Sequence, residues 1–365
     1  MQPMFKIIVG LFATMLVSAA ITPLVRRLAF VLGAVDKPNA RRVNKKAMPA
    51  MGGLAIFIAF TFGTFVLLRG QFQTHELFSI FLAECIIIIT GVIDDIKELN
   101  PKEKMFGILL AALVIYFLAG VRMDILTIPF LGTFELGWLS FPITVFWILA
   151  ITNAVNLIDG LDGLATGVSI IALFTMGVIA YFFLSITNVS VSIMIFCLVA
   201  ALLGFLPHNF HPAKIFLGDT GALFIGFMIA VLSLKGLKNV TFITLLIPVM
   251  ILGVPITDTI YAMLRRILNK KPISQADKYH LHHRLMQLGL SHRQTVLVIY
   301  ALALVFSLIS LLYPISTLWG SLAMTVAVLI GLELFVESIG LLGDNRRPLL
   351  MFLKRLLKPN NEEKD

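Results

Sequence analysis

Apolar runs long enough to cross a bilayer recur along the whole chain, and they limit its fold more than any other feature. A transmembrane helix needs about 17–25 predominantly apolar residues. Because the hydrocarbon offers no water to the backbone, such a run spans it as a helix, whose amide groups bond internally. The sequence therefore predicts an all-α polytopic membrane protein of about eleven helices, at 4–24, 51–69, 77–93, 104–120, 139–155, 164–184, 189–206, 219–234, 240–262, 294–313 and 316–340.

Composition and charge also indicate a membrane protein. Of the 365 residues, 59% are hydrophobic and 13% are charged, whereas soluble domains average about 45–50% and 25%. The net charge is +9, but of the 29 Lys and Arg residues the predicted outer side holds only Lys6, Arg69, Arg122, Lys235 and Lys238. This positive-inside bias places the N-terminus outside and the C-terminus in the cytoplasm. It accounts for the basic charge without any nucleic acid as a partner.

The chain shows no internal repeat or linker that would divide it. Residues 1–340 are predicted to form one integral membrane domain, and residues 341–365 a cytoplasmic tail. A signal peptide carries its positive charge before the apolar run, whereas Arg26 and Arg27 follow the first run here. The first helix is therefore predicted to be retained.

Two smaller features complete the outline. Cys85 and Cys197 lie in apolar segments without metal-site spacing, and we expect free thiols. On the predicted outer side, residues 122–140 alternate apolar and polar residues around Gly132. That pattern is compatible with a hairpin lying on the membrane or with a plain loop.

Polar clusters fall on the predicted cytoplasmic side, in five loops. Carboxylates near a bilayer are costly unless they are paired, hydrated or metal-bound, so they indicate function. Since the clusters meet on one face of the membrane, the sequence predicts one active-site cleft built from cytoplasmic loops. These loops are "DKPNARRVNKKAMPAMGG" (36–53), "GVIDDIKELNPKEK" (91–104), "NAVNLIDGLDGLAT" (153–166), "HNFHPAKIFLGDTGA" (208–222) and "RRILNKKPISQADKYHLHHRLMQLGLSHR" (265–293).

The residue types in these loops favour phosphoryl transfer. Oxygen ligands without Cys suit a hard ion such as Mg²⁺, which proteins hold with one or two carboxylates plus substrate phosphates. Lys, Arg and His suit phosphate oxygens. In "NLIDGLD", steps of three residues turn about 300° on a helix, so Asn156, Asp159 and Asp162 are predicted to form a helical ladder facing the cleft. Gly160 and Gly163 would then leave the opposite side of that helix without large side chains, which allows close helix packing.

Each cluster also has a structural alternative. Asp94 and Asp95 at a helix end are compatible with solvated charge, and residues 218–221 with a simple helix cap. The His cluster is compatible with a zinc site or a solvated loop. Asp258 is predicted to pair with Arg265 or Arg266.

Four motifs in this order carry a family resemblance: "DDIKELNPKEK", "NAVNLIDGLDGLA", "IFLGDTG" and "DKYHLHHRL". Together they resemble the polyprenyl-phosphate N-acetylhexosamine-1-phosphate transferases, over about residues 20–293. The "HLHH" loop is similar to the GlcNAc-1-phosphate branch, which starts wall teichoic acid, common-antigen and related glycans. Asn44 and Ala50 depart from the residues frequent in that branch.

The resemblance implies a reaction: GlcNAc-1-phosphate passes from UDP-GlcNAc to undecaprenyl phosphate, with release of UMP and with Mg²⁺, or Mn²⁺ in its place, as cofactor. It implies a multi-pass protein of the bacterial cytoplasmic membrane, with its active site on the cytoplasmic face, and it allows a homodimer. The bilayer and both substrates are the implied partners.

The resemblance also implies residue roles. Asp219 and Asn156 would hold the metal ion. Asp94 and Asp95 would be catalytic, beside the attacking lipid phosphate. The substrate-binding residues would be Asp159 and Asp162 in the nucleotide pocket, His280, His282 and His283 at the donor phosphates, and Lys45 and Lys46 at the lipid phosphate.

Two mechanisms and two rival functions follow. A phosphate monoester has a second pKa near 6, so the lipid phosphate is already a good nucleophile and single displacement is favoured over an aspartyl-phosphate on Asp94 or Asp95. The nearest rival keeps this chemistry with UDP-MurNAc-pentapeptide or another UDP-N-acetylhexosamine. A secondary transporter of a phosphorylated solute is more remote, because transporters place polar residues at the bilayer midplane within repeats.

Overall fold

A computed structural model of the chain describes residues 3–36, 47–128, 130–183, 189–236, 240–270, 279–341 and 348–357. Helices make up nearly all of this part. They are α1 (Pro3–Leu32), α2 (Gly52–Phe62), α3 (Thr74–Lys97), α4 (Pro101–Val114), α5 (Ser140–Leu157), α6 (Leu164–Phe182), α7 (Val189–Asn209), α8 (Gly218–Gly236), α9 (Phe242–Ile251), α10 (Gly253–Leu268), α11 (Leu281–Gln287), α12 (His292–Leu312), α13 (Leu318–Ile339) and α14 (Pro348–Leu357). The strands are β1 (Val35–Asp36), β2 (Met48–Pro49), β3 (Ile125–Ile128), β4 (Gly132–Glu135) and β5 (Val240–Thr241).

The predicted all-α membrane fold is confirmed. Eight helices of the described part are long and apolar enough to cross a bilayer. The other three predicted segments are helical but composite. α2 continues as the π-helix Gly63–Leu67, α4 continues as the π-helix Ile115–Ala119, and the segment 240–262 divides into α9 and α10. The count of eleven crossings and their orientation stay predictions.

The break in the segment 240–262 has a local cause. α9 ends at Ile251 and α10 begins at Gly253, with Leu252 between them outside the helical region (φ −90°, ψ 21°). Pro255 is the third residue of α10, where a backbone N–H has no partner within the helix, so its missing N–H costs nothing there. In a single continuous helix over residues 240–262, the same proline would remove a backbone hydrogen bond.

α8 forms the centre of the bundle, and 89% of its most apolar 18-residue window is buried. Two glycines let α2 and α3 approach its first turn. A Cβ on Gly53 would lie 2.1 Å from Gly221 Cα, and one on Gly91 would lie 2.4 Å from Thr220 Cα. Small residues allow this kind of backbone approach between membrane helices. The first turn of α8 is therefore held between two neighbouring helices.

The part of the chain predicted to lie on the outer side contains a small sheet. β3 and β4 pair antiparallel, with Leu126 opposite Phe134, and β5 joins β3 in parallel. The hairpin alternative for residues 122–140 is therefore confirmed. Cys85 and Cys197 are free thiols, as predicted.

The predicted cytoplasmic tail contains α14. Its first turn is capped by α13, because the buried Glu337 carboxylate accepts from Leu349 N at 2.8 Å and from Leu350 N at 2.7 Å. This carboxylate satisfies two amides that a helix start leaves without a partner. α14 is thus tied to the end of the membrane bundle.

Candidate active site

A cleft of about 690 Å³ opens at one end of the bundle, where the ends of α3, α5 and α8 meet α11. Two facing groups of side chains line it. We call Asp94, Asp95, Asn156 and Asp219 the acidic wall. His282, His283 and His292 form the histidine wall. Asp36 and Ala50 of the first loop line the cleft as well, so it unites residues from all five loops predicted to be cytoplasmic.

Asp95 holds the first turn of α8 in place. Its Oδ1 accepts from Asp219 N at 2.8 Å, and its Oδ2 accepts from Thr220 N at 3.1 Å and from Thr220 Oγ1 at 2.5 Å. The start of α8 is thus capped by a carboxylate from another helix rather than by its own Asp or Thr. Gly218 has φ +72°, and a Cβ there would lie 2.6 Å from Asp95 Oδ2. Only glycine accommodates that backbone at that distance.

Asp94 and Asp219 share one cation, the ammonium group of Lys104. Lys104 Nζ lies 2.5 Å from Asp94 Oδ2 and 2.9 Å from Asp219 Oδ1. Asn156 Nδ2 donates to the same Asp219 oxygen at 2.5 Å, and Asp94 Oδ1 accepts from Leu99 N at 2.8 Å. Within the acidic wall, the carboxylates of Asp94 and Asp219 are therefore arranged around a positive charge, with Asn156 beside Asp219.

Lys104 was not predicted as a site residue, although the sequence contains a signal for its position. Asn100 and Glu103 form a capping box at the start of α4, which is an N-terminus pattern readable from sequence. Only three residues therefore separate the end of α3 from the start of α4. Lys104 lies one turn into α4, at the level of the Asp94 carboxylate.

The predicted helical ladder is wrong in its local structure. α5 ends at Leu157, and residues 158–163 form a turn before α6. Gly163 has φ +77° at the start of α6, a conformation that glycine adopts without strain. Asn156 is in the helix while Asp159 and Asp162 are in the turn, yet all three line the cleft.

Contacts within the protein hold Asp162. Its Oδ2 lies 2.8 Å from His211 Nδ1 and accepts from Ala213 N at 3.1 Å, while its backbone N donates to His292 Nε2 at 3.1 Å. The rings of His211 and His292 stack with centroids 4.2 Å apart. Both histidines lie in the quoted loops, but their pairing joins residues far apart in the chain and leaves no local signal.

The histidine wall lies against the turn that carries Asp159. A Cβ on Gly160 would lie 2.4 Å from His282 Nε2, and the rings of His282 and His283 have centroids 4.2 Å apart. Burial, reinforced by His283, lowers the pKa of His282 to about 3. His282 is therefore neutral at physiological pH.

The pKa of the Asp159 carboxyl is shifted in the opposite direction. Burial raises its pKa well above the usual range, and the negative charges of Asp219, Asp95 and Asp162 raise it further. A cation bound among these carboxylates would reverse the second contribution.

Four predicted residues have other outcomes. His280 immediately precedes α11 and is buried; among the described residues the cleft is lined by His282 and His283 instead. Asp258, expected to pair with Arg265 or Arg266, bonds to His280 Nδ1 and Leu281 N instead. Lys45 and Lys46 lie outside the described residues.

The chain is similar to known proteins over almost its full length. Residues 77–237 match the family model "Glycosyl transferase family 4". A probable undecaprenyl-phosphate N-acetylglucosaminyl 1-phosphate transferase from Bacillus subtilis is 47% identical over 361 residues, covering 98% of this chain and 99% of the relative.

More distant relatives bear two kinds of name. A decaprenyl-phosphate N-acetylglucosaminephosphotransferase from Mycobacterium tuberculosis is 36% identical, over 80% of this chain and 78% of its own. A phospho-N-acetylmuramoyl-pentapeptide-transferase from Oceanobacillus iheyensis is 30% identical, over 84% of this chain and 96% of its own.

Proposed function

This chain belongs to glycosyl transferase family 4, and from that premise we propose that it transfers GlcNAc-1-phosphate from UDP-GlcNAc to undecaprenyl phosphate, releasing UMP. The observation that carries the proposal is the cleft in which an acidic wall faces a histidine wall at the end of a membrane bundle. The relatives' names support a phosphotransferase that acts on a polyprenyl phosphate. The GlcNAc name of the 47% identical relative favours GlcNAc over MurNAc-pentapeptide, whose transferase is 30% identical.

The acidic wall fits a divalent cation. Asp219 and Asn156 offer a carboxylate and an amide oxygen, which are ligands that Mg²⁺ prefers, and Lys104 already places a positive charge between Asp219 and Asp94. We propose that Asp219 and Asn156 would hold Mg²⁺, or Mn²⁺ in its place. When bound, the ion would neutralise phosphate charge as the bond to UMP breaks.

The contacts indicate different roles for the two adjacent aspartates, Asp94 and Asp95. Both oxygens of Asp95 bond to the first turn of α8, so we assign it the positioning of Asp219. Asp94 pairs with a side-chain ammonium instead, so we assign it to the lipid phosphate, where it orients the nucleophile or accepts its last proton. Lys104 would hold the anionic lipid phosphate beside it. Lys45 and Lys46 stay proposed partners of the same phosphate.

The other side of the cleft would take the sugar nucleotide. His282, which is neutral, and His283 lie beside the turn of Asp159 and Asp162, and we propose that they contact the donor phosphates while that turn lines the nucleotide pocket. Because the lipid phosphate is already dianionic near neutral pH, single displacement needs no covalent intermediate. Activity on the cytoplasmic face follows from the predicted charge asymmetry. Homodimerisation stays a prediction.

A panel of donors tests this function. The purified chain in detergent, with Mg²⁺ and undecaprenyl phosphate, is offered UDP-GlcNAc, UDP-MurNAc-pentapeptide and other UDP-N-acetylhexosamines, and UMP release and lipid-linked product are measured. We expect turnover with UDP-GlcNAc well above the others. Turnover only with UDP-MurNAc-pentapeptide would assign the rival substrate, and a lack of lipid-linked product with every donor would refute the enzyme.

A further inference from the structure

Asp258 of α10 ties together the start of α11. Its Oδ1 accepts from Leu281 N at 2.7 Å, and its Oδ2 lies 2.9 Å from His280 Nδ1. The residue is only 2% exposed. A carboxylate buried this deeply is costly unless its oxygens are bonded. Both of them are used here, one on the helix backbone and one on the residue that begins it.

This contact selects one form of the His280 ring. A carboxylate that accepts from the ring places the imidazole proton on Nδ1. The ring plane of His280 lies 5° from that of His282, with centroids 6.0 Å apart. Orienting His280 therefore also orients the surface on which His282 lies.

α11 depends on such ties because it has only seven residues. Helices this short are unstable without tertiary contacts. Besides the bonds to Asp258, Arg284 Nε donates to Ile339 O at 3.1 Å, and the His282 ring rests on Gly160. Among the described residues, the Asp258 contact holds the start of the helix, two residues before the ring that lines the cleft.

We propose that Asp258 is a positioning residue for the donor substrate: it orients α11 so that His282 and His283 meet the phosphates of the sugar nucleotide. The inference deepens the proposed function and rests on it. Among the described residues, Asp258 faces an apolar cavity of about 350 Å³ between α10, α12 and α13, on the other side of α11 from the cleft. It acts through His280 and Leu281 rather than on substrate.

The first test compares Asp258→Asn with Glu337→Gln. Asparagine keeps an acceptor for Leu281 N but turns an N–H toward His280. Glu337 is a matched control, since it is equally buried and caps α14, whose described side chains do not line the cleft. We expect Asp258→Asn to raise KM for UDP-GlcNAc by about 10–100-fold, with kcat and KM for undecaprenyl phosphate changed less than about 3-fold. Glu337→Gln should leave all three near wild type.

An equal loss for both substrates, or an unchanged KM for UDP-GlcNAc, would overturn the proposal. If Asp258→Asn does not fold, a second pair decides. His280→Asn keeps an N–H near the position of Nδ1, whereas His280→Phe fills the space without a donor. We expect only His280→Phe to raise KM for UDP-GlcNAc. A similar rise in both variants would show that the ring itself contacts substrate.

A measurement without turnover separates this proposal from the proposed function. The chain has seven histidines, so the ¹⁵N imidazole signals of the detergent-solubilised protein can be assigned with single His variants. His280 should carry its proton on Nδ1 in the wild type and move it to Nε2 in Asp258→Asn. A His280 signal that is the same in both proteins would refute the positioning role. If only the donor panel fails, the proposed reaction is refuted, and the imidazole signals still test the positioning role of Asp258.

Discussion

The two walls of the cleft are built differently. The acidic wall lies on the ends of long helices around α8, whose most apolar window is 89% buried. The histidine wall lies on the seven-residue α11 and on the first residue of α12. Only 39% of the most apolar 18-residue stretch of α12 is buried. One wall is part of the bundle core, and the other is tied to it by individual side chains.

The difference indicates where each wall is sensitive. Groups that neutralise charge in phosphoryl transfer need a fixed geometry, and the acidic wall takes it from helices packed backbone to backbone. Changes there should therefore affect folding as well as chemistry. Changes in the histidine wall should appear first in substrate affinity.

The largest expected effect tests the chemistry of the acidic wall. Asp219→Asn removes a charge that Lys104 and Asn156 both contact, and we expect activity to fall at least about 10²-fold. Initial rates of UMP release measure this. Asp124→Asn is the control, because that exposed carboxylate lies beside Arg122, away from the cleft. Retained activity in Asp219→Asn would remove Asp219 from the reaction.

The next effect tests the packing behind the acidic wall. A methyl group on Gly53 meets the backbone of Gly221 and cannot be relieved by rotating a side chain. We expect Gly53→Ala to destabilise the protein by about 1–3 kcal/mol. It should lower the midpoint of thermal unfolding in detergent as well as activity. Gly331→Ala, where a Cβ meets nothing within 4 Å, should leave both near wild type. Equal midpoints of thermal unfolding for the two variants would contradict the close packing of α2 against the first turn of α8.

A smaller effect tests the contact between the histidine wall and the turn that carries Asp159. In Gly160→Ala the new methyl group meets the His282 ring, a side chain that can move aside. We expect KM for UDP-GlcNAc to rise about 10-fold, equivalent to about 1.4 kcal/mol, with little loss of thermal stability. A fall in stability as large as that of Gly53→Ala would show that the walls do not differ in this way.

The smallest effect is a pH dependence of stability. Folded His282 has a pKa of about 3, against about 6.5 when unfolded. Below pH 6.5 the unfolded chain therefore binds a proton that the folded chain does not, and the free energy of unfolding falls as pH decreases toward 3. Between pH 7 and pH 6 this loss is about 0.7 kcal/mol.

His282→Gln should remove that part of the slope, which unfolding midpoints at pH 7 and pH 6 would show. His75→Gln, which replaces an exposed histidine in the first turn of α3, serves as the control. The idea fails if the wild type and His282→Gln lose equal stability over this interval.

Local sequence patterns determined the class of the protein and the composition of its site. Apolar length predicted the membrane helices, since the bilayer leaves one way to satisfy a backbone within it. The turn pattern around Gly132 allowed the hairpin that the structure contains. The polar loops predicted Asp94, Asp95, Asn156, Asp159, Asp162, Asp219, His282 and His283 in one cleft, and the structure places them there.

Tertiary structure alone decided which side chain bonds to which. Asp95 and Asp219 are separated by 124 positions in the chain, and Asp258 and His280 by 22. No local periodicity encodes such pairs, because they depend on how helices pack. For the same reason Asp258 bonds to the start of α11 rather than to an arginine on its own helix. The helix predicted across Asp159 and Asp162 ended early because its glycines favour a turn that packing against His282 and Phe210 stabilises.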